Sequence, residues 1–218
     1  MTRAILAALA AALLIAAPAH AEDREPFSGF YAGAQGGGGT TDVTLIFNGL
    51  DIGNVTVSGG EGGVFAGYAL RHDRFVGAVE LEGLYVLGDD TIDAPFGPAE
   101  IETRGAVGAS LIAGYVVYDD QGSLGDETAS NAGDVMLYGR VGYRALFARI
   151  DAGGDVGTDA FHGLRAGGGV AWAVTDRITV RAEYTRLQYR DQSYGAGRNT
   201  LTVGPSGNLA SVGVSYRF

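Results

Sequence analysis

From residue 77 onward the chain alternates apolar and polar positions with a period of two. At the C-terminus Ala210, Val212, Val214, Tyr216 and Phe218 are separated by Ser211, Gly213, Ser215 and Arg217. Residues 178–185 repeat the split, with Ile178, Val180, Ala182 and Tyr184 against Thr179, Arg181, Glu183 and Thr185. In 164–174, Leu164, Ala166, Val170, Trp172 and Val174 oppose Arg165, Gly167, Gly169, Ala171 and Ala173. In 135–144, Val135, Leu137, Val141 and Tyr143 oppose Met136, Tyr138, Arg140, Gly142 and Arg144. In 101–111, Ile101, Thr103, Val107, Ala109 and Leu111 oppose Glu102, Arg104, Ala106, Gly108 and Ser110. In 77–85, Val79, Leu81 and Tyr85 oppose Ala78, Glu80, Glu82 and Leu84. Successive side chains of a strand point to opposite faces, so each run predicts a strand with one apolar face. Two Gly-rich strands without a clean face, near 29–39 and 62–70, bring the expected number to eight.

The connectors predict alternating short and long links. Arg71-His72-Asp73-Arg74 and Thr175-Asp176-Arg177 read as tight turns, whereas 40–61, 88–100, 149–162 and 188–208 read as long loops. Before the first strand, 1–21 reads MTRAILAALAAALLIAAPAHA. Arg3 gives a positive start, Ala4 to Ala17 an apolar stretch, and Ala19-His20-Ala21 a small-residue cleavage site. This predicts a secretory signal peptide, cleaved to leave a barrel domain at 22–218. No later segment offers the roughly 18 consecutive apolar residues of a transmembrane helix.

Composition narrows the class further. Among 218 residues there are 37 Gly and no Cys, and the formal net charge is −10. Absent cysteine removes disulfides, thiolate metal sites and cysteine nucleophiles. The acidic balance argues against a basic surface for nucleic acid. All basic residues are Arg. Alternation suits either a soluble sandwich or a membrane barrel. A sandwich buries its apolar face in a shared core, while a membrane barrel turns it to lipid and keeps small or polar groups inside. Polar faces rich in Gly, Ala and Ser, alternating connector lengths, a terminal aromatic on the apolar face and an export signal together predict the barrel. The expected fold is all-β, an eight-stranded antiparallel up-and-down transmembrane barrel.

Gly29-Phe30-Tyr31-Ala32-Gly33, Val79-Glu80-Leu81-Glu82-Gly83, Val180-Arg181-Ala182-Glu183-Tyr184 and Val212-Gly213-Val214-Ser215-Tyr216-Arg217-Phe218 carry a resemblance over nearly the whole of 22–218. At these residues the chain resembles the OmpA-like and OmpX-like eight-stranded outer-membrane barrels of Gram-negative bacteria, a porin-family group. The resemblance implies location in the outer membrane, contact with its lipid and lipopolysaccharide, and reading of Tyr216 and Phe218 by the barrel-assembly machinery. It also implies a short periplasmic turn where this chain has the 16-residue acidic connector 119–134. No peptidoglycan-binding domain is expected after Phe218.

The inward faces collect Glu80, Glu82, Glu102 and Glu183 with Arg104, Arg140, Arg144, Arg165, Arg181 and Arg217. Eight strands leave an interior just wide enough for side chains. Charges there must pair, since an isolated buried charge is costly. The expected outcome is an Arg/Glu network filling the lumen of a structural, surface-interaction protein whose loops are available to an extracellular ligand. A narrow channel for ions or small solutes is the alternative. An enzyme acting on lipid A is not expected: His72 lies in a predicted turn, and His162 precedes Gly163-Leu164 rather than a Ser nucleophile. Asp151, Asp155 and Asp159 recur every four residues, unlike the alternate-position ligands of a calcium loop. The glycine runs at 36–39 and 167–169 lack the following Lys of a phosphate loop. No cofactor or metal is expected.

Overall fold

A computed structural model describes residues 26–47, 49–87, 89–94, 97–118, 133–152, 155–196 and 199–218. The proposed signal peptide lies outside them. The strands are β1 (Gly29–Phe47), β2 (Leu50–His72), β3 (Phe75–Leu87), β4 (Asp89–Ala94), β5 (Gly97–Tyr118), β6 (Val135–Ala152), β7 (Asp155–Ala173), β8 (Ile178–Tyr189), β9 (Gln192–Ala196) and β10 (Asn199–Arg217). Each wall strand pairs antiparallel with its neighbours in the order β1, β2, β3, β5, β6, β7, β8, β10. The sheet then closes, with β1 paired to β10 from Tyr31–Arg217 to Phe47–Leu201. β4 pairs only with β5 and β9 only with β10, so they prolong the hairpins above β3 and β8. The wall therefore has eight strand positions and no free edge.

Four expected loops are largely strand. The segments read as 40–61, 88–100, 149–162 and 188–208 continue the ladders, with Phe47 opposite Leu50, Ala94 opposite Gly97, Ala152 opposite Asp155, and Ala196 opposite Asn199. These stretches lack alternation because both faces leave the apolar band, so neither face demands a fixed polarity. Backbone pairing alone extends them.

At the other end, β2 and β3 join through Asp73 and Arg74, with His72 opposite Phe75. Asp73 takes φ 53°, a left-handed conformation that Asp tolerates. Thr175 organises the second turn, its Oγ1 accepting from the backbone N–H of Ile178 at 2.9 Å. The described end of the β5–β6 connection, Gly133 and Asp134, lies at this same end, because the Ala173 N–H donates to the Asp134 carbonyl at 2.9 Å. β5 ends at Tyr118 and β6 begins at Val135. Residues 119–132 lie outside the described set. Phe218 is here too, its N–H donating to the Phe30 carbonyl at 3.0 Å.

The two faces separate cleanly. From Val180 to Tyr189, strand β8 alternates exposed and buried without interruption. Leu70, Phe75, Leu81, Leu111, Val141, Leu164 and Val212 point outward, each at least 59% exposed. Such a continuous apolar exterior would be an aggregation surface in water and is the solvated face in lipid. Near the turn end, the lumen itself is apolar: Ala69, Val76, Ile112, Val116, Met136, Tyr138 and Ala171 form one buried cluster, packed against Phe27 and Tyr31. Val116 is 0% exposed. The cavity beside this cluster holds about 70 Å³. Ile112→Ala is expected to destabilise the folded barrel by about 2–5 kcal/mol, as other buried Ile-to-Ala changes do. Reversible urea unfolding in lipid vesicles measures it, and an unchanged midpoint would mean that this cluster is not packed.

Candidate functional site

Above the apolar cluster a belt of charged side chains crosses the lumen. Period-two geometry aims Glu80 and Glu82 inward from β3, Arg140 and Arg144 from β6, Arg165 from β7, and Arg181 and Glu183 from β8. β3 and β8 are four wall positions apart, on opposite sides of the ring. The arginines span that gap.

Arg140 is the hub. Its Nη1 donates to both carboxylate oxygens of Glu183, at 2.9 and 2.8 Å. Its Nη2 donates to Glu80 at 3.1 Å and to Ser110 Oγ at 2.9 Å, with Glu82 a further 3.7 Å ion pair. Arg165 repeats the crossing: Nη1 reaches both oxygens of Glu82 at 2.6 and 2.5 Å, and Nη2 reaches Glu183 at 2.6 Å. Arg181 binds Glu80 through two nitrogens, at 2.6 and 3.1 Å, and Gln35 Oε1 at 2.6 Å. The Arg181 guanidinium also lies 3.7 Å over the Phe65 ring, a favourable cation–π placement. Tyr31 and Tyr138 supply hydroxyl donors to Glu80 and Glu183, at 3.1 and 3.0 Å. A separate pair, Arg144 with Glu61, sits beside the belt on the hairpin side.

Four buried carboxylates, Glu61, Glu80, Glu82 and Glu183, thus face four buried guanidinium groups, on Arg140, Arg144, Arg165 and Arg181. The described interior is electrically neutral, which a low-dielectric lumen requires. Each central guanidinium serves two carboxylates or a carboxylate and an amide. Lysine, with a single ammonium centre, could not present this planar fork.

The belt differs from the expected membership in three ways. Arg217 lies apart, at the turn end, where its guanidinium donates to the Asp176 carbonyl. The side chains of Glu102 and Arg104 lie outside the described set. Glu61 and Gln35, which pattern reading passed over, are full members. Glu61 stood inside a segment read as loop, and Gln35 in a glycine run with no visible face. Tyr138 and Ser110 already lay on inward faces, and only their partners were missing. At the turn end, Arg71 pairs with Asp134 at 2.8 Å and also donates to the Pro26 carbonyl at 3.2 Å. Neither residue stood out in the sequence.

Tyr216 and Phe218 project outward beside the turns. Their rings meet edge to face at 5.4 Å between centroids, and Arg177 donates to the Tyr216 hydroxyl at 2.7 Å. His162, exposed on the outer face, stacks on Tyr143 at 5.8 Å between ring centroids. His72 is exposed beside the Asp73 turn.

The sequence model of the family described as outer membrane protein beta-barrel domain matches residues 7–218. The chain belongs to that family. Membership places this outer-membrane barrel in the outer membrane. Solved structures of similar fold include OprG of Pseudomonas aeruginosa, at 15% identity over 90% of this chain and 99% of that one, with a TM-score of 0.50. Neisserial surface protein A matches at 22% identity over 88% and 98% of the two chains, with a TM-score of 0.47. Ail, the attachment invasion locus protein of Yersinia pestis, matches at 13% over 88% and 99%, with a TM-score of 0.45. At such identities the likeness is one of fold. Among curated proteins no significant match is found.

Unequal costs are expected within the belt. Arg140→Met strands parts of two carboxylates and should lower unfolding stability by roughly 3–5 kcal/mol. Arg144→Met should cost distinctly less, because Arg144 Nε and Nη1 already lack partners among the described residues. Paired urea titrations decide this, and the reverse order would remove Arg140 as the hub.

Proposed function

We propose that this outer-membrane barrel is a closed structural anchor that presents its hairpins outside the cell, rather than a conduit. The observation that carries the reading is two obstructions in series within one lumen. Solutes entering from the hairpin end meet the neutral Arg/Glu belt. Below it stand Val76, Ile112, Val116 and Met136, which offer an ion no polar partner. A channel lining needs polar groups along the whole path and charges free to exchange ions, whereas here the belt's carboxylates are held by arginines.

The wall continues well beyond the lipid. Outward-facing apolar residues on β10 give way at Asn208, which pairs with Thr40 of β1. From Thr40 the β1–β2 hairpin climbs seven more residues to Phe47, about 24 Å along a strand. Stiff paired strands hold the hairpin tips away from the membrane, a geometry suited to contact with an extracellular ligand. Export through the 1–21 segment and reading of Tyr216 and Phe218 by the assembly machinery complete the proposal. Both aromatics stand exposed on the periplasmic rim, open to such a partner. No enzymatic role is included: the His162 ring is committed to Tyr143, and His72 faces solvent at the opposite end.

Planar-bilayer recording of folded protein tests the anchor reading. Wild type and Arg140→Ala should both be silent, the latter because the apolar cluster remains. Combining Arg140→Ala with Met136→Ala should produce steady current. Openings by wild type would overturn the reading in favour of a narrow channel.

A further inference from the structure

The chain enters β1 by a sharp fold rather than a straight lead-in. Phe27 takes φ 62° and Gly29 φ 89°, so two of three consecutive residues lie in the left-handed region. Glycine adopts that conformation readily, whereas a bulky residue does so only where its surroundings hold it. Here they do. Phe27 packs against the cluster of Ala69, Val76, Ile112 and Met136 at the turn end of the lumen. Pro26 before it is buried, and its carbonyl accepts from Arg71 Nη1 at 3.2 Å. Ladder pairing does not require this arrangement, because β1 meets β2 only from Gly29, opposite Ala69.

Arg71 ties this segment to the wall. Its side chain is only 5% exposed although it stands at the rim. Nε donates to the Asp73 carbonyl in the β2–β3 turn at 2.8 Å, and Nη1 also reaches the Asp134 carboxylate, just before β6, at 2.8 Å. Asp73 and Asp134 belong to the wall, whereas Pro26 belongs to chain outside the sheet. One guanidinium therefore fastens the entering chain to two separate parts of the rim. Phe27 itself is half-buried and forms part of the lining of the floor cavity of about 70 Å³, together with Ser28, Tyr31 and Ala171. A ring held in a disfavoured backbone conformation, over a cavity and by one arginine, has the parts of a docked element that can leave.

We propose that Pro26–Ser28 is a reversible stopper for the turn end of the lumen, with Phe27 as the plug and Arg71 as its latch. Undocked, the segment relaxes to extended backbone and opens the floor cavity to water at that end. Docking slows access to the floor without sealing it. The stopper acts below the Arg/Glu belt, so it does not rest on the closed-anchor reading.

Thiol labelling tests this, since the chain contains no Cys. Ala171→Cys places one thiol on the floor, at a position 3% exposed that lines the cavity. Each variant is folded in detergent micelles, where both ends of the barrel are open to reagent, and its folding is verified by heat-dependent gel shift. Modification by a charged, water-soluble thiosulfonate is then followed by intact mass. A171C should react slowly. Adding R71Q should raise the rate roughly tenfold, the shift in docking that loss of one charge-assisted hydrogen bond allows. Adding F27A should raise it at least as much, and F27L, which keeps an apolar plug, should return it towards the parent rate. R74Q removes a neighbouring exposed cation without touching the stopper and should leave the rate unchanged. Ala69→Cys, on the same floor from β2, repeats the measurement should Ala171→Cys fail to fold. Equal rates with and without F27A, fast or slow, would overturn the stopper, and no change with R71Q would overturn the latch. An equal rise with R74Q would also overturn the proposal, because it would mark general loosening of the rim.

Discussion

A wall immersed in hydrocarbon must satisfy every backbone N–H and carbonyl within itself, and that constraint governs this molecule. Antiparallel strands meet it only when the last pairs with the first. Here the β1–β10 seam does so, running from Tyr31 to Phe47 on one side and from Arg217 to Leu201 on the other. Closure at eight strands then dictates the interior. The lumen is too narrow to stay wet and too large to remain empty, so inward side chains must fill it. Charged ones must neutralise one another as they do.

The ion belt follows from this. Glu80 and Arg181 are 101 residues apart in sequence and meet because β3 and β8 face each other across the ring. A buried ion pair is weak support for net stability, since desolvation offsets much of the attraction. Its stronger consequence is register. Sliding β8 by one residue would send Arg181 and Glu183 to the lipid face and strand Glu80 and Glu82 inside. The belt thus penalises mispairing in strands whose glycine content specifies little by itself. Gly167, for example, leaves the space that the Thr185 methyl group occupies on the neighbouring strand: a Cβ there would fall 2.5 Å from it.

Below the belt the interior changes character. Met136 and Ile112 belong to an apolar floor at the end that carries the short turns and Phe218, and Arg71 pairs with Asp134 at that rim. On the proposed reading, function lies outside the lumen, at the hairpins that extend beyond the apolar band. The same closure makes the barrel a stiff mount for its extended hairpins.

The alternation itself was enough to establish strands, a lipid-facing exterior and the inward direction of Glu80, Glu82, Arg140, Arg165, Arg181 and Glu183, because side-chain direction in a strand is local and repeats every two residues. Strand ends were not legible, since beyond the bilayer neither face of 40–61 or 188–208 is under selection by lipid, and polarity stops reporting structure. The membership of Glu61 and Gln35 and the exclusion of Arg217 depended on which residues share a height in the closed ring. That height is set by the pairing of strands far apart in the chain. The apolar floor was equally hidden: Ala69 of β2 and Ala171 of β7 are ordinary in their own strands, and only the closed ring gathers them into one cluster with Ile112 and Met136.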